Sequence, residues 1–305
     1  MSSMKVWLAS AEAAPFAKTG GLADVAGSLP KALKDLEIDI RVVMPKYSQI
    51  DSEFVSRMVF LGQLQVELGW RKQYCGVFHL EYEGIDFYFI DNEYYFFRPE
   101  GYYGLSDDGE RFSFFCRAIL EALPVIGFQP DIIHLNDWQT GMVPVLLEAQ
   151  YRRLDPYRDI ATLFTIHNLR YQGEFPIPVF RDLFDLGEEY FTPDKLEFYG
   201  NASFLKGGLV YSHILTTVSR TYAEEIRYPF YGERLDGLLR ARGDSLHGIV
   251  NGIDDAEYDP ETDPCLVRNY NADTLEAKSE NKIALQKELG MPVNGEIPII
   301  GLVSR

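Results

Sequence analysis

Lys18-Thr19-Gly20-Gly21 stands between an apolar run at residues 6–9 and a periodic run that opens at Leu22. Adjacent glycines let a backbone approach a ligand closely, free amides and the dipole of a helix start favour an anion, and Lys18 adds an ammonium. The same letters also describe a plain tight turn. The spacing is neither that of a dinucleotide-binding glycine loop nor that of a Walker loop. Glu12, in the same loop, can orient Lys18 or a hydroxyl, or is simply an exposed acid. Asp24, one turn into the next run, reads equally well as a favourable charge at a helix start.

His167-Asn168 follows an apolar run at residues 161–166. The imidazole can donate to a hydroxyl and the backbone carbonyl can support a developing positive charge, or the histidine is structural. Asp137 follows residues 132–135, and either it or Asn136 can cap a helix starting near Trp138 or Gln139. Trp138 is either core or a flat apolar platform. Asn251 follows residues 246–250, where Gly252 can expose its side chain or merely make an Asn-Gly turn. No second histidine or cysteine lies at ligand spacing, so a metal is not expected. No side chain stands out as a covalent nucleophile.

Elements must bring these loops together. Strand-like runs at residues 6–9, 38–44, 132–135, 162–166 and 214–218 are apolar and nearly continuous, as strands covered on both faces are. Helical runs at residues 22–36, 140–153 and 219–228 follow three of them. Parallel neighbours need such crossovers, so the fold class is α/β: a mainly parallel, Rossmann-like sheet flanked by helices. Candidate loops then follow strand carboxyl ends, where open α/β sheets hold ligands. A strand-rich addition is expected near residues 56–97, with runs at 59–68, 74–81 and 85–90. Residues 94–103, with six aromatics, read as a structured loop, and Lys206-Gly207-Gly208 as the close approach of a helix to the sheet. Residues 272–289 have helical composition, and 297–303 read as a further strand.

With 46% hydrophobic and 14% aromatic residues among 305, the chain can bury a core. Its net charge of −17 repels polyanions, which argues against nucleic acid as a partner and leaves a neutral polymer permissible. Cys75, Cys116 and Cys265 form no close pair, so a reducing, cytoplasmic setting is expected. The start has neither the length of a membrane span nor the order of a signal peptide, and no membrane partner is expected.

Lys18-Thr19-Gly20-Gly21-Leu22, continuing through Ala23-Asp24-Val25-Ala26-Gly27, resembles a signature of bacterial and plant glycogen and starch synthases. The resemblance continues in order at Asn136-Asp137-Trp138, Thr165-Ile166-His167-Asn168, Lys206-Gly207-Gly208, Thr217-Val218-Ser219, Asn251-Gly252-Ile253-Asp254 and Gly301-Leu302-Val303-Ser304-Arg305. It covers nearly the whole chain. It implies the N-terminal lobe of a GT-B type glycosyltransferase that needs no metal and moves glucose, with retention, from ADP-glucose to the non-reducing end of an α-1,4-glucan.

On that resemblance His167, Asp137, Asn251 and Arg305 are the catalytic candidates. Lys18, Gly20, Gly21, Glu12, Asp24, Asn168 and Trp138 are the substrate-binding ones. Asp137 is implied on the acceptor side, Asn251 near the reacting sugar, and Arg305 against the donor's phosphates. Arg170 departs from the family's usual small residue. The implied organisation is an acceptor-side domain over residues 1–255, a linker with a helix over 256–295, and the first strand of a C-terminal donor-binding lobe over 296–305. That lobe is required for a full donor site, so the chain by itself is expected to be inactive. The rival reading is a non-catalytic glucan-binding module descended from the same lobe.

Overall fold

The computed structural model describes residues 3–302. It divides into two compact units, Met1–Asn251 and Gly252–Arg305. In chain order the first unit begins β1 (Lys5–Ala9), α1 (Gly21–Lys34), β2 (Asp39–Pro45), α2 (Ser52–Arg57), β3 (Val59–Leu68), β4 (Arg71–Tyr82), β5 (Ile85–Asp91), α3 (Glu93–Phe96), α4 (Asp108–Ile126) and β6 (Ile132–Asn136). It continues α5 (Val143–Leu146), β7 (Ala161–Ile166), β8 (Glu174–Pro176), α6 (Ile177–Phe184), β9 (Glu197–Phe198), β10 (Asn201–Ser203), α7 (Phe204–Tyr211), β11 (Ile214–Thr217), α8 (Arg220–Glu225), α9 (Asp236–Ala241) and β12 (Leu246–Gly248).

Nine strands form one sheet in the order β12-β11-β7-β6-β1-β2-β5-β4-β3. From β12 to β5 every pairing is parallel; β4 and β3 add on antiparallel. The expected Rossmann-like sheet is therefore present, and the strand-rich segment extends its edge. Continuous apolar runs behave as both-face-covered strands: Trp7, Leu8 and Ala9 have no exposed surface. The outermost strand β3 instead exposes Val59, Phe60 and Leu61, as an edge strand can.

Chain direction across the sheet reverses beside β1. The path runs outward from β1 to β2 and on to the edge strand β3, comes back through β4 and β5, then crosses to β6 on the other side of β1 and continues through β7, β11 and β12. The loops after β1 and β6 therefore diverge from neighbouring parallel strands, and such a switch point opens a crevice at the carboxyl edge.

Several elements depart from the sequence reading. Residues 140–153 do not form one helix: a 3₁₀ turn (Trp138–Thr140), α5 and a π turn (Leu147–Tyr151) replace it. Gly141 and Pro144 interrupt the run, and a Cβ at Gly141 would lie 2.1 Å from the Phe204 carbonyl oxygen, so the chain bends to meet α7. The long helix α4 has no counterpart in the reading. It is buried on nearly all sides, so no amphipathic stripe marks it. Within the aromatic segment at residues 94–103, Asn92 caps the single turn α3 by accepting from Tyr95 N at 3.1 Å, and the remainder is loop. The reading of Lys206-Gly207-Gly208 agrees with the packing. A Cβ at Gly208 would meet the Phe164 ring of β7 at 2.4 Å, so α7 lies directly on the sheet.

The second unit carries a 3₁₀ turn (Ala272–Ala277) and α10 (Lys278–Glu288). Side-chain to backbone bonds tie it together: Asn281 exchanges two with Arg268, at 2.7 and 2.9 Å, and Gln286 exchanges two with Asn294, at 2.9 and 3.0 Å. Residues 297–302 form no regular strand. A strand is held by its neighbours' hydrogen bonds, and Ile300 and Leu302 lie more than nine-tenths exposed. Val303 and Arg305 lie outside the described residues.

Candidate active site at the carboxyl edge of the sheet

Five loops leave the carboxyl ends of adjacent parallel strands: residues 10–20 after β1, Asp137 after β6, His167-Asn168 after β7, 218–219 after β11 and 249–251 after β12. Parallel pairing thus puts Lys18, Asp137, His167 and Asn251 at one edge although they are distant in sequence. Asn251 is exposed there.

Asp137 is buried and held at φ 55°, a region that costs a non-glycine residue free energy. It occupies the N-cap position of the turn Trp138–Thr140, yet its side chain makes no capping bond. The expected cap is not formed. Its Oδ1 instead accepts from the backbone N–H of His167 at 2.8 Å and of Asn168 at 3.3 Å, so the carboxylate braces the neighbouring loop. Burial pushes its pKa up to about 7, against those two backbone donors, with the charge of Glu12 adding to the rise.

Asn136 fixes the tautomer of His167. Its Nδ2 donates to the Ala9 carbonyl at 3.1 Å, which leaves Oδ1 to accept from His167 Nε2 at 2.9 Å. Nε2 therefore carries the proton and Nδ1 the lone pair. Burial lowers the His167 pKa to about 4, so the ring is neutral near pH 7. Below it, His134 Nε2 and Thr165 Oγ1 lie 2.7 Å apart, and Thr165 Oγ1 lies 2.6 Å from Thr216 Oγ1. Burial, then the nearby His167, lowers the His134 pKa to about 3.

The sign of the resulting pH dependence follows directly. Both histidines have folded values below the ordinary 6.5, so between pH 6.5 and about 4 the unfolded chain binds more protons at each and acid erodes stability. Asp137 opposes this. Its folded value lies above the ordinary 3.8, so its contribution is lost as pH rises from about 4 through 7. His134→Asn is expected to reduce the slope of unfolding free energy between pH 6.5 and 4.5 by ~1.4 kcal/mol per pH unit. Urea titrations of wild type and variant over that range measure it, and parallel curves would refute it.

The phosphate-facing candidates form a second group. Gly20 caps α1 in an extended conformation without a side-chain cap bond, and a Cβ at Gly21 would meet nothing within 4 Å. The backbone at Gly21 therefore borders open space. Lys18 Nζ lies 2.5 Å from Asp24 Oδ1, both groups well exposed, so this ion pair adds little to stability. Glu12 is not the exposed loop acid that the alternative reading allowed. It is buried and accepts from Thr19 N, from Thr19 Oγ1 at 2.8 Å and from Tyr103 OH at 2.7 Å, so it binds the turn to itself.

Trp138 does not offer an open face. It is buried against Phe112, Phe175 and Phe204, with ring centroids 5.0 to 6.2 Å away, and a Cβ at Gly173 would strike its ring at 2.2 Å. It belongs to the wall beneath the site. Tyr103 escaped the sequence reading as a functional residue, and Asn136 was legible only as a motif residue or a cap; their partners across the fold give both their roles. Arg170 is exposed beside Asn168, whose Oδ1 accepts from its N–H at 3.0 Å. Among the described residues, no group of three or more histidine, cysteine or acidic side chains is arranged to hold a metal ion, and no helix is long and apolar enough to cross a membrane.

This geometry meets its counterparts in known proteins. A family described as the starch synthase catalytic domain matches residues 5–241. A glycogen synthase of Geobacillus thermodenitrificans is 58% identical over 302 residues, covering 99% of this chain and 62% of the relative. One from Caldicellulosiruptor bescii is 56% identical over 303 residues, covering 99% and 63%. The solved catalytic domain of starch synthase IV from Arabidopsis thaliana, bound to ADP and acarbose, aligns with a TM-score of 0.88 at 35% identity, covering 95% of this chain and 60% of that one. The chain thus spans about three fifths of the length of these relatives. A Rossmann-like lobe whose glycine turn and braced histidine loop flank one switch point, matched over residues 5–241, belongs to the starch synthase catalytic domain family.

Proposed function

We propose that the protein to which this chain belongs transfers glucose from ADP-glucose to the non-reducing end of an α-1,4-glucan, with retention of configuration and without a cofactor. The observation that carries this reading is the pairing of two loops at the switch point. One is the open start of α1 with Lys18, suited to an anion; the other is the Asp137–His167 brace, suited to hydroxyls. The relatives' names and the ADP and acarbose bound by one of them support a nucleotide-sugar donor and a glucan acceptor.

In this reading the α1 amides and Lys18 hold the diphosphate and absorb charge on the departing oxygens. Lys18 exchanges Asp24 for the phosphate. His167 stays neutral and fixed in orientation, with its carbonyl and Nδ1 available to the sugar. Asp137, through Oδ2, takes a glucose hydroxyl, and Asn251 faces the reacting sugar. Residues 1–255 serve as the acceptor-side lobe, 256–295 as a linker, and 296–305 lead into a donor-binding lobe that contributes Arg305. A cytoplasmic setting suits three unpaired cysteines, two of them buried.

Lys18→Gln in the full-length protein tests the donor assignment. It removes the ammonium from a half-exposed side chain whose ion pair with Asp24 is open to solvent, so Tm should hold within a few degrees. The KM for ADP-glucose is expected to rise ~10-fold while the KM for glucan stays within about twofold. Equal rises in both would assign Lys18 to folding. Anomeric analysis of the first product separately tests retention, and an inverted linkage would end that part of the reading.

A further inference from the structure

The turn at residues 18–21 is tied to a part of the fold far from it in sequence. At the start of α4, Asp108 Oδ2 accepts from Gly104 N at 2.8 Å, and Asp108 Oδ1 accepts from Arg111 Nη1 at 2.6 Å. Fully buried Arg111 donates from Nε to the Tyr95 carbonyl at 2.7 Å and from Nη1 to the Tyr102 carbonyl at 3.3 Å. The backbone on both sides of Tyr103 is thereby fixed. Burial, with Tyr47 and Glu12 nearby, pushes the Tyr103 phenol well above its ordinary value, so its hydroxyl keeps its proton and donates.

The acceptor of that proton is Glu12 Oε1, at 2.7 Å, the same oxygen that takes Thr19 Oγ1 at 2.8 Å; Glu12 Oε2 takes Thr19 N. Thr19 lies between Lys18 and the two glycines at the start of α1. Two bonds from one carboxylate to one residue set the rotation of that residue's backbone, and the Tyr103 bond sets the rotation of the carboxylate. Losing one hydroxyl would free Glu12 to turn, and the α1 amides would lose their aim.

We propose that Tyr103 is a positioning residue whose hydroxyl, acting through Glu12, holds residues 18–21 in the orientation that receives a nucleoside diphosphate. The identity of that anion rests on the functional reading above; the positioning of the turn does not. A purely structural bond would cost stability and slow both substrates alike. A positioning bond costs the donor alone.

Tyr103→Phe deletes only the hydroxyl and keeps the ring packed on Phe112, 5.9 Å away between centroids. Tyr95→Phe is the control, because it deletes a neighbouring hydroxyl that donates to Glu110 at 2.6 Å and is not bonded to the turn. In this chain without nucleotide, hydrogen exchange at residues 17–21 is expected to accelerate at least ~5-fold in Tyr103→Phe and to stay unchanged in Tyr95→Phe. In the full-length protein the ADP-glucose KM should rise ~10-fold in Tyr103→Phe with the glucan KM unchanged, as for a lost bond to a charged group. Glu12→Gln, which keeps one acceptor oxygen, should fall between wild type and Glu12→Ala.

Unchanged exchange in Tyr103→Phe, or equal rises in both KM values, overturns the proposal. Faster exchange at residues 17–21 in a protein whose wild type neither binds ADP nor uses ADP-glucose would uphold the positioning role and defeat the functional reading.

Discussion

Asp137→Asn in the full-length protein is expected to lower kcat/KM for glucosyl transfer ~10²–10³-fold while leaving Tm within a few degrees. Asparagine keeps an oxygen for the backbone N–H groups of His167 and Asn168, and because it matches aspartate in shape it adds no new clash to the backbone already held at φ 55°. The brace therefore survives. The variant loses the ionisable Oδ2, which in the functional reading holds a hydroxyl of the sugar. Burial sets the wild-type carboxyl to titrate at about 7, and only its charged form accepts strongly, so wild-type kcat/KM should rise with pH through that value. His167, at about 4, lies too low to account for such a limb. Profiles of kcat/KM from pH 5.5 to 8.5 decide it. A limb near 7 that persists in Asp137→Asn would assign the titration elsewhere, and full activity in the variant would remove Asp137 from the chemistry.

The second large effect concerns the chain on its own. Its relatives are longer, and it spans about three fifths of them. In the proposed mechanism the diphosphate is enclosed by charged groups from both lobes, and closure excludes water and strengthens each interaction. With the α1 turn alone, the donor's phosphates would stay solvated. Radiolabelled glucose incorporation from ADP-glucose is therefore expected at background for the 305 residues and well above it for the full-length protein at equal concentration. Calorimetry with malto-oligosaccharides should still detect weak acceptor binding, because Asp137 and His167 are already locked together within this unit. Robust, donor-dependent incorporation by the 305 residues would overturn the division of labour between lobes. Oligosaccharide binding by a full-length protein that never transfers glucose would favour the rival reading, a glucan-binding module.

The sequence by itself determined the sheet and the loops that bear the site. Runs such as Trp7-Leu8-Ala9 are apolar without alternation because both faces of their strand are covered, and that is a local property of the letters. Lys18, Asp137, His167 and Asn251 were legible as loop residues at strand ends for the same reason, and the order of motifs identified the family. The surrounding helices were less legible. Helix α4 is buried almost all round and carries no stripe, and residues 140–153 bend where Gly141 meets the Phe204 carbonyl.

Only the tertiary structure decided which polar groups meet. Asp137 looked like a cap, but parallel pairing of β6 and β7 places the backbone amides of His167 and Asn168 within its reach. Glu12 looked like an exposed acid, yet α4 and the segment before it bring Tyr103 across a gap of 91 residues. Trp138 read equally as core or as a platform, and three phenylalanines and Gly173 close around it. Periodicity is written along the chain and records burial one element at a time. A hydrogen bond between two loops depends on how the strands beneath them are ordered, and that order exists only once the sheet has formed.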